Sequence, residues 1–239
     1  MQARARLRVE RDGSGASVTA DHHDAPPVAF RRCVDGVYYL VATAAAPLGC
    51  DEVAIEVEVG EGAHAVVRAV GATVAYASRA ARLSTRISLR EGAVLDWQLG
   101  PLIATARCAL DVCAELELAE RASLRFCEEL VLGRHGEQPG RLDHLLSVER
   151  AGRPLLCHAL AIGQGAPGWD GPAVLGDARA LSMVLSADPT RPATSDHGTG
   201  WARLALEAGG ELAFALGRDL AEARDRLERG VPHAVEALW

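Results

Sequence analysis

A strand-turn-strand unit that recurs about every 30 residues limits this chain's fold more than any other feature. The turns read GEGAHA, REGAVL and AERASL, and their acids are Glu61, Glu91 and Glu120. Apolar residues alternate with polar or small ones beside these turns, most cleanly over residues 53–59. Such alternation indicates half-buried strands, and a short turn between two strands predicts a β-hairpin. The pattern occurs a fourth time around 151–152, so we expect four successive hairpins.

Successive hairpins without intervening helices predict a mainly β protein. We expect one domain over residues 1–239, built as stacked β-hairpins or a β-helix-like stack. The β body covers about residues 1–162. A loop-rich and partly helical part follows over about residues 163–239.

The C-terminal part differs from the body in composition. Glycine and proline are frequent in 163–177, and polar residues dominate 188–200, so both segments are expected to be loops. Residues 180–187 and 204–216 are candidate strands. Residues 218–229 have apolar positions at helical spacing, which predicts a short amphipathic helix.

Charge and hydropathy exclude several classes of protein. The net charge is −7 and no basic stripe is present, which argues against nucleic-acid binding. No segment approaches the roughly 20 apolar residues of a membrane span, and no signal-peptide core is evident, so we expect a cytoplasmic protein. The six cysteines lack CxxC spacing and are expected to be buried free thiols rather than disulfides. They are Cys33, Cys50, Cys108, Cys113, Cys127 and Cys157.

Motifs for common catalytic chemistries are missing from the sequence. The chain has no nucleophile elbow, no phosphate-binding loop and no dinucleotide-binding fingerprint. The run Asp21-His22-His23-Asp24 has metal-binding side chains, but neighbours on a strand point to opposite faces, which favours a solvated loop. The same argument separates Cys157 from His158.

Acidic residues near predicted strand ends are the remaining candidates. Asp51-Glu52 opens one strand, Glu128-Glu129 opens another, and Glu137 lies in the loop that follows. A buried carboxylate is costly unless it is paired with a cation or a metal, so any of these that is buried points to function. The alternative is that all of them are surface acids.

Three stretches in order, 47–78, 89–103 and 122–140, resemble the UreD (also called UreH) family of urease accessory proteins. Single motifs are weak, but their order and spacing together are specific. The resemblance rests on the following residues: Gly49-Cys50-Asp51, Val57, Val59, Gly62-Ala63, Ala72-Thr73, Tyr76, Ser78, Gly92-Ala93, Leu95, Trp97, Leu132-Gly133-Arg134 and Gly136-Glu137.

The resemblance implies a β-helix-like scaffold without enzymatic turnover. Such a protein binds UreF, and through it the GTPase UreG, and docks on the apo-urease subunits, with a dimer of heterotrimers as the expected assembly. It binds no cofactor tightly. Nickel in transit passes through a tunnel to the urease active site.

A nickel path needs weak oxygen ligands, because each ion must both enter and leave a site. Within the stretches that resemble the family, we expect Asp51, Glu52, Glu128 and Glu137 to supply them, with Ser78 and His135 as weaker candidates. The segment EELVLGRHGEQPG is then a strand that carries Glu128 into a channel and a tight loop that returns Glu137 near it. Arg134 is expected to pair with one acid or to brace the loop.

Two rival hypotheses remain. In the first, the chain is a purely structural interaction protein that transfers no metal. In the second, it is a metal-dependent hydrolase that uses the same acids with His135. The hydrolase is disfavoured because the sequence lacks a histidine and carboxylate ligand set at the usual spacing.

Overall fold

The computed structural model describes residues 1–33 and 36–230. Strands make up 56% of it and helix 5%, which confirms a mainly β fold of stacked strands. One short helix, α1 (Leu220–Gly230), confirms the helix predicted near the C-terminus. In the described part of the chain, no helix has the length and apolar character needed to cross a bilayer.

Two sheets face each other across the core. The seven-stranded first sheet contains β1 (Gln2–Arg11), β2 (Ser17–His23), β5 (Glu52–Val59), β8 (Ala81–Leu89), β11 (Ala109–Leu118), β13 (Arg141–Arg150) and β14 (Arg153–Ile162), in the spatial order β14-β13-β11-β8-β5-β1-β2.

The eleven-stranded second sheet contains β3 (Val28–Arg32), β4 (Val37–Ala42), β6 (His64–Ala69), β7 (Thr73–Ala75), β9 (Val94–Gln98), β10 (Leu102–Ala104), β12 (Ser123–Leu132), β15 (Ala180–Ala187), β16 (Asp196–Gly198), β17 (Trp201–Ala205) and β18 (Glu211–Gly217). Its main order is β16-β17-β18-β15-β12-β9-β6-β4-β3, and β10 pairs with β12 and β7.

The repeated turns join the two sheets instead of closing hairpins. After each turn the chain crosses from the first sheet to the second, as from β5 to β6, and each strand pairs in parallel with its equivalent one repeat away. Val53 lies opposite Leu83, and Leu83 lies opposite Val112. One sequence repeat is therefore one rung of a parallel stack.

The prediction of hairpins is wrong for three of the four turns. At Glu61, Glu91 and Glu120 the flanking strands belong to different sheets. These turns stack on one another: the N–H of Gly62 donates to the Glu91 carbonyl at 2.9 Å, and the N–H of Glu120 donates to Glu91 Oε1 at 3.0 Å. The turn at Ala151 does close an antiparallel hairpin, between β13 and β14.

The space between the sheets is filled by side chains from alternate positions of each strand. Two hydrophobic clusters result. The larger includes Leu95, Trp97 and Phe126, and the smaller includes Leu130 and Leu132. A third cluster lies on the outer face of the second sheet, where α1 packs against β15 and β18.

Candidate functional site

Asp51 and Glu52 lie where the chain enters β5. Asp51 is buried, and its carboxylate accepts hydrogen bonds from the α-amino group of Met1 at 2.8 Å and from the N–H of Leu48 at 2.9 Å. These two bonds, the first more than the second, lower the pKa of Asp51. Glu52 is exposed and accepts a hydrogen bond from Gln2 Nε2 at 3.0 Å. The two carboxylates thus tie the entry of β5 to the start of β1.

Ser78 links two neighbouring rungs of the stack. Its hydroxyl donates to the carbonyl of Ala109 at 2.9 Å and accepts from the N–H of the same residue at 2.7 Å. Its backbone pairs in parallel with Gly49, two residues before Asp51. Ser78 is therefore close to the Asp51 loop, and its hydroxyl is engaged by backbone groups.

The loop after β12 is held together by its own acid. Glu137 Oε2 accepts a hydrogen bond from the N–H of Arg134 at 2.9 Å, and that bond lowers the pKa of Glu137. The Arg134 guanidinium lies over the ring of Tyr76, 5.7 Å from its centre, and His135 is exposed. Arg134 therefore braces the loop, in agreement with one of its two predicted roles.

Glu128 points between the two sheets. It follows Leu124 and Phe126 and precedes Leu130 and Leu132 in the inward-facing positions of β12, so it separates the two interior clusters. The strand continues for four residues beyond it, roughly 13 Å. The loop does not bring Glu137 to Glu128, because the Glu137 carboxylate accepts a hydrogen bond within its own loop.

The partner of Glu128 is His144 on β13 of the opposite sheet. Glu128 Oε2 lies 3.0 Å from His144 Nε2, and the His144 side chain is 2% exposed. Burial by itself lowers the pKa of His144, but the charge and hydrogen bond of Glu128 outweigh burial and raise it. Glu128 therefore favours the protonated form of the His144 ring.

A small cavity adjoins this pair. Its volume is about 60 Å³, and its polar lining includes Thr73, Thr85, Glu128 and His144. Leucine, valine and tryptophan side chains form most of the rest of the lining, so the cavity is largely apolar. The interior therefore places the Glu128–His144 pair beside a small, mostly apolar space.

The adjacent acid Glu129 points the other way, because neighbours on a strand face opposite sides of the sheet. Its carboxylate accepts two hydrogen bonds from Arg224 of α1, at 2.6 and 2.7 Å. Glu128 and Glu129 thus form no carboxylate pair. The first faces the interior and the second anchors the helix.

The remaining metal-capable residues do not assemble into a closed site. Within residues 1–33 and 36–230, no group of three or more histidine, cysteine or acidic side chains is arranged to enclose an ion. Asp21, His22 and His23 are exposed on β2, not in a loop, and the Asp24 carboxylate is occupied by hydrogen bonds from Phe30 and Arg31.

The cysteines are all free, as expected. Their predicted burial is only partly correct, because Cys33, Cys50 and Cys157 are exposed. Cys108 and Cys127 are buried, and burial raises the pKa of Cys127 to about 12. Burial also raises the pKa of Cys108 and of Cys113, which disfavours a reactive thiolate at these positions.

Sequence reasoning missed His144 and considered His158 only as a possible partner of Cys157. His144 occupies an inward position of β13 between Leu142 and Leu146. His158 occupies the corresponding kind of position on β14, where it follows Leu156. The alternation that marks both strands could have shown that these histidines lie on the apolar face.

Comparison with known proteins places this architecture in a family. A family model described as UreD urease accessory protein matches residues 1–238. The chain belongs to the UreD family of urease accessory proteins. Membership assigns it a role in urease maturation.

Curated UreD relatives match over most of their length. Urease accessory protein UreD 3 of Streptomyces griseus subsp. griseus is 40% identical over 201 residues, covering 80% of this chain and 78% of the relative. UreD of Parafrankia sp. is 36% identical, covering 95% and 87%. UreD 1 of Saccharopolyspora erythraea is 34% identical, covering 99% and 97%.

Proposed function

We propose that this protein is a non-enzymatic scaffold and metallochaperone that acts in the cytoplasm. It binds UreF, and through it UreG, and docks on the apo-urease subunits in a dimer of heterotrimers. Nickel passes through it in transit and no cofactor is held tightly. Membership of the UreD family over residues 1–238 is the observation that carries this proposal.

The nickel path is supported by the position of Glu128. Among the acids proposed to bind nickel, it is the one whose side chain separates the two interior clusters, beside a small cavity. An oxygen ligand in such a site binds a divalent ion without the tight hold of a thiolate.

We place the other proposed ligands at one end of the stack, where the path would open. The loops that carry Asp51 and Ser78 are joined by the Gly49–Ser78 bridge. The loop that carries Glu137 joins the next rung through a 2.9 Å hydrogen bond from the Gly140 N–H to the Thr105 carbonyl. Glu52 and His135 are the more exposed members of this end.

A purely structural scaffold is the second candidate. It is favoured by the engagement of Asp51 and Glu137, whose carboxylates already accept backbone or terminal hydrogen bonds. In that case both acids shape loops that partners contact, and no ion passes.

The test is co-purification of the chain with UreF and UreG, followed by nickel-dependent activation of apo-urease. Glu128→Ala and Glu137→Ala are compared with Glu117→Ala, which removes an exposed acid from β11. Intact assembly with lost activation supports nickel passage, and failed assembly supports the structural role. Normal activation by either variant removes that residue from the path.

A further inference from the structure

The loops that return the chain from the second sheet to the first carry an exposed arginine in three successive rungs. Arg79 follows β7, Arg107 follows β10 and Arg134 follows β12, and all three residues are exposed. The loops lie side by side, because β10 pairs in parallel with both β7 and β12. In addition, the N–H of Ser78 donates to the carbonyl of Arg107 at 3.1 Å. The three arginines therefore share one end of the stack, which we call the arginine end.

The guanidinium groups of the arginine end have no acid partner within the described part of the chain, where the ion pairs involve other arginines. The acids of the same loops are bound to other groups. Asp51 accepts a hydrogen bond from the amino group of Met1 at 2.8 Å, and Glu137 accepts one from the N–H of Arg134 at 2.9 Å. This end therefore carries positive charge that no described carboxylate pairs with.

Many exposed arginines elsewhere in the stack do have acid partners. Arg121 pairs with Glu91 at 3.1 Å at the opposite end, and Arg86 pairs with Glu115 at 2.7 Å on the outer face of the first sheet. The whole chain has a net charge of −7. The unpaired positive charge is therefore a local feature of an acidic protein, and the like charges on neighbouring rungs repel one another until an acid is supplied.

Exposed apolar side chains border the arginine end. Tyr76 is 40% exposed and Leu48 is 37% exposed. The guanidinium of Arg134 lies over the Tyr76 ring, and the loop of Leu48 is joined to this end by the Gly49–Ser78 bridge. Tyrosine and arginine are enriched in protein–protein interfaces. The composition of this end is therefore that of a protein-binding surface.

We propose that the arginine end is the surface on which apo-urease docks, through an acidic face that supplies the missing carboxylates. The inference rests on the proposed function, since it assigns a surface to the docking step. A protein of urease maturation acts on the apo-enzyme, so apo-urease is the partner that this role requires. The proposed nickel path opens at the same end, where a receiving enzyme has to sit. The net charge of −7 opposes a nucleic acid as the partner.

The test is biolayer interferometry of the full-length chain, co-purified with UreF and UreG, on immobilised apo-urease. Arg79→Glu combined with Arg107→Glu is expected to weaken binding at least tenfold, mainly through slower association. Arg79→Lys combined with Arg107→Lys keeps the charge and should lose less than threefold. Arg121→Glu combined with Arg153→Glu is the matched control, because it reverses two exposed arginines at the opposite end and should change binding less than twofold.

Three results would overturn the inference: equal binding by the wild type and the double glutamate variant, an equal loss in the opposite-end control, or an equal loss in the lysine variant. A glutamate variant that no longer co-purifies with UreF also overturns it, because the surface then belongs to UreF.

Urease activation separates this inference from the proposed function. Arginine-dependent docking, with normal activation by Glu128→Ala and Glu137→Ala, supports the surface and removes the nickel path. Undiminished binding and activation by the glutamate variant refutes the surface and leaves the scaffold standing. Absence of binding by the wild type refutes both.

Discussion

The ion pair between Arg224 and Glu129 is expected to hold α1 against the second sheet. Arg224 donates to both carboxylate oxygens of Glu129, at 2.6 and 2.7 Å. The Glu129 side chain is 3% exposed, whereas that of Arg224 is 50% exposed. Arg224→Ala therefore leaves a carboxylate buried beneath the helix without its cation.

The expected loss of unfolding free energy is about 2 kcal/mol. Breaking a fully buried ion pair costs about 3–5 kcal/mol, and a hydrogen bond to a charged group contributes about 1.5–3 kcal/mol. The expected loss lies near the low end of these two ranges, because the half-exposed arginine of this pair is in contact with water. Adding Glu129→Gln to Arg224→Ala is expected to restore about 1 kcal/mol, since it removes the stranded charge.

The assay is urea denaturation followed by circular dichroism on the full-length chain. Arg229→Ala is the control on the same helix, because its pair with Asp225 is exposed on both sides and should contribute less than about 0.5 kcal/mol. The reasoning is refuted if Arg224→Ala is as mild as the control. It is also refuted if Glu129→Gln has the same effect with and without Arg224.

Three further predictions concern the loops and the thiols. Gly136→Ala should lower the free energy of unfolding by about 1–2 kcal/mol, because its φ is +71° although the space around it is open. Gly133→Ala should lower it by about 1–3 kcal/mol more, because its Cβ would lie 2.2 Å from a carbonyl oxygen of the same loop. Urea denaturation measures both losses. Iodoacetamide at pH 8 should alkylate exposed Cys157 and leave buried Cys127 unmodified until the chain unfolds, as read by mass spectrometry. Burial alone raises the pKa of Asp24, but hydrogen bonds from β3 outweigh burial and lower it. The stability difference between wild type and Asp24→Ala should therefore be present above the ordinary carboxyl pKa of about 4 and disappear as the pH falls through the folded pKa.

Each of these has a contrary outcome. Equal losses for the two glycine variants would show that the loop relaxes around the added methyl group. Alkylation of Cys127 in the native chain at the rate of Cys157 would show that the second sheet opens readily. A stability difference for Asp24→Ala that grows as the pH falls would contradict the sign of its pKa shift.

The repeat of about 30 residues was sufficient to predict a stacked β fold. Alternation identifies strands and their buried faces, because side chains on a strand point to opposite sides with a period of two. It carries no information about the partner of each strand. The turns at Glu61, Glu91 and Glu120 were therefore predicted as hairpins, although the pairing is parallel and one repeat away.

The same limit applies to the site. Alternation along 124–132 and 142–148 assigns Glu128 and His144 to inward faces, and family resemblance marked Glu128 as a candidate. Only the facing of the two sheets brings these residues, 16 positions apart in sequence, to 3.0 Å. Likewise, only loop closure turns Glu137 onto the N–H of Arg134. Local periodicity depends only on residues that are close in sequence, whereas a contact between sheets depends on how every intervening strand and turn is packed.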